Sequence, residues 1–113
     1  MADRSKRDEI PPGTLYLLIL RTLSRGGEMH GYEIANAIQR VSDEVLQVEE
    51  GSLYPALQRM LLKGWVTAEW GITAGNRRAR YYQLTSAGRK QLAVEFEQYR
   101  RVSGAIEKVL QMA

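Results

Sequence analysis

Residues 49–84 place a helix-forming stretch directly before two strand-forming stretches, and this order restricts the fold more than any other feature. Apolar side chains in the helical stretch recur at spacings of four, three and one, so at about 3.6 residues per turn they share one side of a helix. They are Leu53, Leu57, Met60 and Leu61. Ser52 is the expected N-cap, Pro55 falls in the first turn, and Gly64 suits a left-handed stop. We predict a helix with one side in a core and one polar side exposed.

The two strand-forming stretches are rich in β-branched and aromatic residues, and a loop containing Gly and Asn separates them. They are Trp65–Trp70 and Arg77–Leu84. This pattern predicts a β-hairpin, with Asn76 serving its turn. Because side chains alternate along a strand, Arg78, Arg80 and Tyr82 are expected on one face. A helix followed by a basic hairpin is typical of a winged helix.

Length and composition restrict the class of protein. A chain of 113 residues is expected to form one domain. It has no cysteine, which excludes a disulfide framework and a cysteine-ligated metal and fits a reducing cytoplasm. The longest apolar run, 15–20, is too short to span a membrane, and the first residues lack the apolar segment of a signal peptide. We expect a cytoplasmic protein with no membrane partner.

The basic residues are clustered rather than evenly spread. The chain has 16 Lys and Arg against 13 Asp and Glu, a formal net charge of +3 and a pI of about 9.4. Arg77, Arg78 and Arg80 lie in the predicted hairpin, and further basic residues occupy 4–7. A clustered basic patch on a nearly neutral domain is typical of a protein that binds a polyanion.

The segments before the central helix complete a three-helix unit. Residues 1–12 are polar and charged and end in two prolines, which predicts a mobile N-terminal arm or a short helix packed on a partner. The apolar run that follows predicts a helix buried on more than one side. The next helix has apolar spacing through Ile34, Ile38 and Val41. We assign residues 13–85 to a winged helix-turn-helix domain.

Residues 86–113 predict one long terminal helix. Its apolar side chains recur at spacings of four, three, three, four and three, close to the period of a coiled-coil seam. They are Leu92, Phe96, Tyr99, Val102, Ile106 and Val109. Packing against the first helix covers only part of this stripe, so we predict that it forms a dimer interface. The expected fold class is mainly α with a small β-hairpin: a winged helix-turn-helix plus a long C-terminal dimerisation helix.

The polar side of the central helix carries the candidates for base recognition. They are Ser52, Tyr54, Pro55, Gln58 and Arg59. Gln and Arg side chains make bidentate contacts to base edges in a major groove, whereas the alternative is an ordinary amphipathic surface helix. In the hairpin, Arg77, Arg78 and Arg80 are expected to contact phosphates or enter a minor groove. The alternative for these arginines is a solvated charge run.

Nothing in the sequence indicates catalysis. No nucleophile, base and orienting group form a recognisable set, and no Gly-rich phosphate loop precedes a helix. His30 has no second histidine and no cysteine to complete a metal site, so we assign it a structural role at the start of a helix. We therefore expect no enzyme activity, no metal and no cofactor.

Four segments carry a specific combination of motifs. They are Gly13-Thr14-Leu15, His30-Gly31-Tyr32-Glu33-Ile34, Gly51-Ser52-Leu53-Tyr54-Pro55-Ala56-Leu57 with Gly64 closing the helix, and Arg78-Ala79-Arg80-Tyr81-Tyr82-Gln83-Leu84-Thr85-Ser86-Ala87-Gly88. In their order and spacing they resemble the PadR family of winged-helix transcriptional regulators, in its short branch with a single C-terminal helix. The resemblance implies a homodimer that binds a palindromic operator in double-stranded DNA, usually as a repressor.

The resemblance also implies a site for a small aromatic effector. Drug-responsive members of the short branch bind flat aromatic ligands between two protomers, at the place that Phe96 and Tyr99 occupy here. We place Tyr16 in the same pocket. Trp65 and Trp70 are further aromatic candidates, although aromatic residues at such spacings more often belong to a core, and we assign Trp65 to packing.

Two other functions remain open at this point. A winged-helix protein–protein adaptor uses the same scaffold without nucleic acid, but it has no need for three arginines on the wing. A DNA binder without sequence preference would bind random and promoter DNA with equal affinity.

Overall fold

The computed structural model describes residues 8–10 and 13–113, which form four helices and five strands. The helices are α1 (Leu15–Gly26), α2 (Gly31–Val41), α3 (Glu50–Leu62) and α4 (Ser86–Leu110). The strands are β1 (Asp8–Glu9), β2 (Met29–His30), β3 (Leu46–Gln47), β4 (Val66–Ile72) and β5 (Arg78–Leu84). Three helices followed by a long hairpin and a terminal helix confirm the predicted winged-helix fold class.

The wing is an antiparallel hairpin of β4 and β5. Its register runs from the pair Val66 and Leu84 at the base to the pair Ile72 and Arg78 near the tip. The short β2 joins the free edge of β5, which gives a three-stranded sheet in the order β2-β5-β4. At the tip, Asn76 has a φ of 63°, a left-handed conformation that asparagine tolerates, so its predicted role in the turn is confirmed.

The N-terminal segment differs from its prediction in the part that the structure describes. Asp8 and Glu9 form the strand β1, which pairs in parallel with β3. These two residues therefore belong neither to a mobile arm nor to a short helix, because β3 offers backbone partners that the local sequence does not reveal. Residues 1–7 and 11–12 of the predicted arm lie outside the described residues.

The core lies between the three helices of the domain and the base of the wing. Its largest fully buried side chains are Ile19, Leu20, Leu23, Ile34, Leu53, Leu57, Met60 and Val66. Tyr82 and Leu84 close this core from β5. Val41, expected on the apolar side of α2, is wrongly assigned because it is the last residue of that helix and is 74% exposed.

The central helix α3 begins earlier than predicted and ends where predicted. The N–H groups of Ser52 and Leu53 donate to the Glu49 carbonyl, so Glu49 is the N-cap and Ser52 lies inside the first turn. Pro55 consequently sits in the second turn, where its missing N–H leaves the carbonyl of the exposed Gly51 to water. Buried Val48 fixes the preceding backbone, which accounts for the earlier start.

Gly64 ends α3 with a complete Schellman motif. Its φ is 76°, its N–H donates to the Leu61 carbonyl, and the next N–H, of Trp65, donates to the Met60 carbonyl. The left-handed conformation favours glycine because a side chain would strain it. The chain therefore turns sharply from α3 into β4, as the sequence predicted.

Helix α4 starts on the wing and then leaves the domain. The Thr85 side chain accepts a hydrogen bond from the Gly88 N–H, which caps the helix. Gly88 is the one buried residue of α4, and Leu92 packs against the core. Beyond Leu92 the helix runs beside α1, and most of its length is exposed.

We predict that Gly88→Ala strongly destabilises the domain, whereas Gly104→Ala in the same helix does not. A Cβ at residue 88 would lie 2.1 Å from the Trp65 carbonyl oxygen, and one at residue 104 would meet nothing within 4 Å. We expect a loss of about 3 kcal/mol for the first and a gain of about 0.5–1 kcal/mol for the second. Urea unfolding measures both, and equal stabilities would contradict the packing described for α4.

Candidate nucleic-acid interface

Helix α3 has one buried side and one exposed side, as its sequence predicted. The buried side chains are Leu53, Ala56, Leu57 and Met60. The exposed side carries all five candidates for base recognition, Ser52, Tyr54, Pro55, Gln58 and Arg59. The apolar side fixes the helix to the domain, so the polar side is presented outward on a rigid element.

A groove of about 840 Å³ separates the start of α3 from the wing, and we call it the wing groove. Its lining includes Glu50, Tyr54, Trp70, Arg78, Arg80 and Tyr82. Arg78, Arg80 and Tyr82 all line this groove, as the predicted alternation along β5 requires, although Arg77 and Ala79 line it too. Helix side chains and wing arginines that are distant in sequence therefore border one surface.

Two of the three wing arginines stack on a tryptophan. The guanidinium carbon of Arg78 lies 4.6 Å from the centre of the Trp70 ring, and that of Arg80 lies 5.7 Å from it. Trp70 is 60% exposed, so it does not belong to the core. Arg77 is exposed at the end of the loop, where its backbone N–H donates to the Thr73 hydroxyl.

The Arg80 side chain is only partly satisfied by the protein. Its Nε is buried and, among the described residues, has no hydrogen-bond acceptor. Tyr82 lies two residues along the same strand face. Burial raises the pKa of the Tyr82 hydroxyl, the neighbouring Arg80 charge partly offsets this rise, and Tyr54 adds to it. Tyr54, Arg80 and Tyr82 all line the wing groove.

Tyr54 packs on the first residue of α2. A Cβ on Gly31 would lie 2.7 Å from Tyr54 Cε1 and 2.9 Å from its hydroxyl, so only glycine allows the ring to approach this closely. The ring remains 45% exposed. Tyr54 therefore joins α3 to α2 while presenting an edge to the wing groove.

Arg59 is held at the outer edge of α3 by Tyr16. Its Nε donates to the Tyr16 hydroxyl, and its guanidinium carbon lies 5.7 Å from the centre of that ring. The Tyr16 ring in turn packs edge-to-face on Trp65 at 5.5 Å. Trp65 is thus a packing residue, as expected. Tyr16 does not line the apolar pocket that holds Phe96 and Tyr99, because its side chain contacts Arg59 and Trp65 instead.

His30 begins α2, as the sequence predicted. Its Nδ1 accepts from the Glu33 N–H, and the Glu33 carboxylate accepts from the His30 N–H at 3.0 Å. This reciprocal capping box satisfies two backbone donors at the start of the helix. Glu33 accordingly serves as a capping residue.

A second, mostly apolar pocket of about 340 Å³ lies between α1 and α4. Phe96 and Tyr99 line it together with Leu17, Leu18, Leu46 and Leu92. Two of the three residues assigned to an effector pocket are therefore brought together. The remaining aromatic candidate, Trp70, lies on the wing and does not reach this pocket.

Comparison with known proteins identifies the family. The model of the Transcriptional regulator PadR-like family matches residues 19–94 of this chain. The chain belongs to the PadR-like family. Its members are transcriptional regulators and not enzymes, so family membership shows that this protein is not an enzyme. Within the described residues, no helix has the length and hydrophobicity needed to cross a bilayer.

Solved structures of PadR-like and other regulators share this fold. A transcriptional regulator from Clostridium thermocellum is 29% identical, with a TM-score of 0.77 over 85% of this chain and 92% of that one. A PadR-like transcriptional regulator from Bacillus cereus is 28% identical, with a TM-score of 0.73 over 89% of this chain and 95% of that one. A PadR family regulator from Eggerthella lenta is 25% identical, with a TM-score of 0.73 over 89% and 85% of the respective chains.

Trp70 and Glu50 are among the residues of the wing groove that sequence reasoning did not assign to the DNA-binding surface. Trp70 is paired directly with Arg80 in the hairpin, and this pairing follows only once the turn length is known. Glu50 lines the groove because α3 begins at this residue rather than after Ser52. The carboxylate of Glu50 makes the helix side of the groove less positive than the wing side.

We predict that Tyr82 makes the domain less stable in alkali. Its pKa is raised above the ordinary value of 10.0 in the folded state, so as pH rises the unfolded chain loses the proton first. The protonated Tyr82 hydroxyl makes its full contribution to the free energy of unfolding below pH 10, and this contribution is lost as pH rises through the pKa of Tyr82 in the folded state. Tyr82→Phe is expected to flatten the fall in unfolding free energy above pH 10, as measured by urea unfolding. An equally steep fall in the unfolding free energy of the wild type and of Tyr82→Phe would contradict this prediction.

Proposed function

We propose that this PadR-like regulator is a sequence-specific binder of double-stranded DNA that acts as a homodimeric repressor on a palindromic operator. One observation carries the proposal: the start of α3, through Glu50 and Tyr54, borders the same groove as the arginine face of the wing, and the other candidates for base recognition are exposed on that helix. In winged-helix proteins these elements are suited to the major groove and to the adjacent backbone. Membership of a regulator family supports the same reading.

The exposed residues divide into two kinds of contact. Gln58 and Arg59 are the candidates for bidentate contacts to base edges, with Ser52, Tyr54 and Pro55 beside them on the same side of α3. Arg77, Arg78 and Arg80 are the candidates for phosphate contacts, which position a protein without reading sequence. The Tyr16 hydroxyl restrains Arg59, so less side-chain freedom is lost when this arginine meets a base.

The homodimer is supported by an apolar stripe that the described residues leave largely exposed. Val102, Ile106 and Val109 are 47%, 53% and 61% exposed, and Phe96 and Tyr99 continue the stripe. Leu92 packs against its own domain, so it is the least exposed member of the predicted interface. A two-fold pairing of such helices would place two α3 helices in successive major grooves, about 34 Å apart.

An aromatic effector is the third part of this proposal. The apolar pocket beside Phe96 and Tyr99 continues into the dimerisation stripe, so a flat ligand there would touch both protomers. Such a ligand would change the angle between protomers and hence the spacing of the two α3 helices. The adaptor function is less well supported, because a protein-binding wing does not require stacked arginines.

We predict that two substitutions separate base contacts from phosphate contacts. Gln58→Ala is expected to cost about 1–3 kcal/mol on the promoter upstream of the gene and nothing on random DNA. Arg77→Ala is expected to weaken binding to both DNAs and to reduce the salt slope by about one unit. Titrations of both variants at two salt concentrations measure these effects.

The wild-type protein in the same titrations tests the function itself. Preferential binding to promoter DNA supports a sequence-specific regulator, and equal affinities support a non-specific DNA binder. A folded dimer that binds neither DNA favours the adaptor. Adding flat aromatic compounds to the complex tests the effector, which is rejected if operator affinity and tryptophan fluorescence both stay unchanged.

We predict that Ile106→Glu dissociates the dimer, because it places a charge within the apolar stripe. Gln111→Glu is the control, since it adds the same charge about 140° around the helix, at the C-cap of α4. Sedimentation equilibrium is expected to give a monomer for the first variant and a dimer for the second. Wild-type protein that is monomeric at micromolar concentration would contradict the interface.

A further inference from the structure

We propose that Trp70, Arg78 and Arg80 form a preorganised site for one DNA phosphodiester, in which Trp70 is a positioning residue for both guanidinium groups. The inference rests on the proposed DNA binding and extends it. It assigns a role to an exposed tryptophan and separates Arg78 and Arg80 from Arg77, although all three carry the same charge.

The geometry of the hairpin brings these three side chains together. Trp70 and Arg80 are directly paired in the β4–β5 ladder, and Arg78 lies two residues further on the same strand face. Both guanidinium carbons lie within 6 Å of the ring centre, at 4.6 and 5.7 Å. These distances are in the range in which the negative face of an indole attracts a cation.

The stacking holds two like charges close together without an acidic partner. The structure gives no ion pair for Arg78 or Arg80 within residues 8–10 and 13–113. Like charges at short range repel, and the indole offsets part of that repulsion. A phosphate group between them would neutralise both, and its oxygens accept several charge-assisted hydrogen bonds from guanidinium groups.

Arg80 also carries an unsatisfied donor. Its buried Nε meets no acceptor among the described residues, an arrangement that costs free energy in the unbound protein. Burial beside Tyr82 and stacking on Trp70 restrict the side chain before any ligand arrives. Less rotamer freedom is therefore lost on binding than for a free arginine.

The exposure of Trp70 supports a role in binding rather than in folding. Its ring is 60% exposed on the wing, whereas Trp65 is half-buried against Tyr16. Arg77 provides a matched comparison, because it is adjacent in sequence, is exposed, and stacks on no ring among the described residues. Only Arg78 and Arg80 are preorganised.

A pair of double-mutant cycles tests the site. Trp70→Leu, Arg80→Ala, Arg77→Ala and the two double variants with Trp70→Leu are titrated against promoter and random duplex DNA. Trp70→Leu is expected to weaken binding to both DNAs by roughly three- to thirtyfold, the range that a cation–π interaction provides. In the Arg80→Ala background the further loss should be smaller than in the wild type, because Arg78 is then the one guanidinium group left for Trp70 to position, whereas with Arg77→Ala the two losses should multiply.

A conservative variant and a spectroscopic signal complete the test. Trp70→Phe keeps an aromatic face and should restore most of the affinity lost in Trp70→Leu, which a role in sequence reading would not produce. In a Trp65→Phe background, Trp70 is the one tryptophan left, and Arg80→Ala is expected to shift its emission in the absence of DNA. Urea unfolding of each variant establishes that it is folded.

The outcomes distinguish this inference from the function on which it rests. If wild-type protein binds DNA but the losses from Trp70→Leu and Arg80→Ala multiply, the phosphodiester site is wrong and the DNA-binding function stands. If Trp70→Leu binds DNA with wild-type affinity, the phosphodiester site is likewise wrong and the DNA-binding function stands. If the folded wild-type dimer binds neither DNA, the proposed function fails, and the site fails with it.

Discussion

The turn at Gly64 and Trp65, in which Gly64 is left-handed, is the junction on which the rest of the domain depends. It ends α3 and begins β4, and the Gly64 carbonyl accepts a hydrogen bond of 2.7 Å from the Thr85 hydroxyl at the start of α4. The Trp65 carbonyl accepts from the Thr85 N–H and lies against Gly88, so a side chain at residue 88 has no space. Two residues thus join the central helix, both strands of the wing and the terminal helix.

This junction links the candidate DNA surface to the candidate dimer surface. The base of the wing is fixed in the core by Val66, Tyr82 and Leu84, while its outer half carries the stacked arginines. Helix α4 leaves the same junction and runs along α1 toward the apolar stripe. A change in the direction of α4 would therefore reach the wing and α3 through this junction, which fits the proposed control of spacing between two α3 helices.

Sequence periodicity predicted the features that depend on local chemistry. It failed where contacts with another segment determine where a helix begins or which neighbour a side chain meets. The apolar side of α3, the alternation along β5, the stop at Gly64 and the cap at His30 follow from short-range rules. The start of α3 does not, because buried Val48 fixes the approach to Glu49, although serine is the better local cap. Tyr16 was misplaced for a similar reason: the sequence gives its helix but not which neighbour its side chain meets, and here that neighbour is Arg59.

A net charge of +3 is too small for long-range attraction alone to give tight binding to DNA, so the local arrangement of charge has to supply it. The two sides of the wing groove differ in this respect. The helix side contains the Glu50 carboxylate, whose charge would disfavour a phosphate there. The wing side concentrates two guanidinium groups on one indole, with no described acid paired to them. Because phosphate contacts fix the register of a protein on DNA, a rigid wing would set where Gln58 and Arg59 meet the base edges, so specificity would depend on Trp70 although it reads no base.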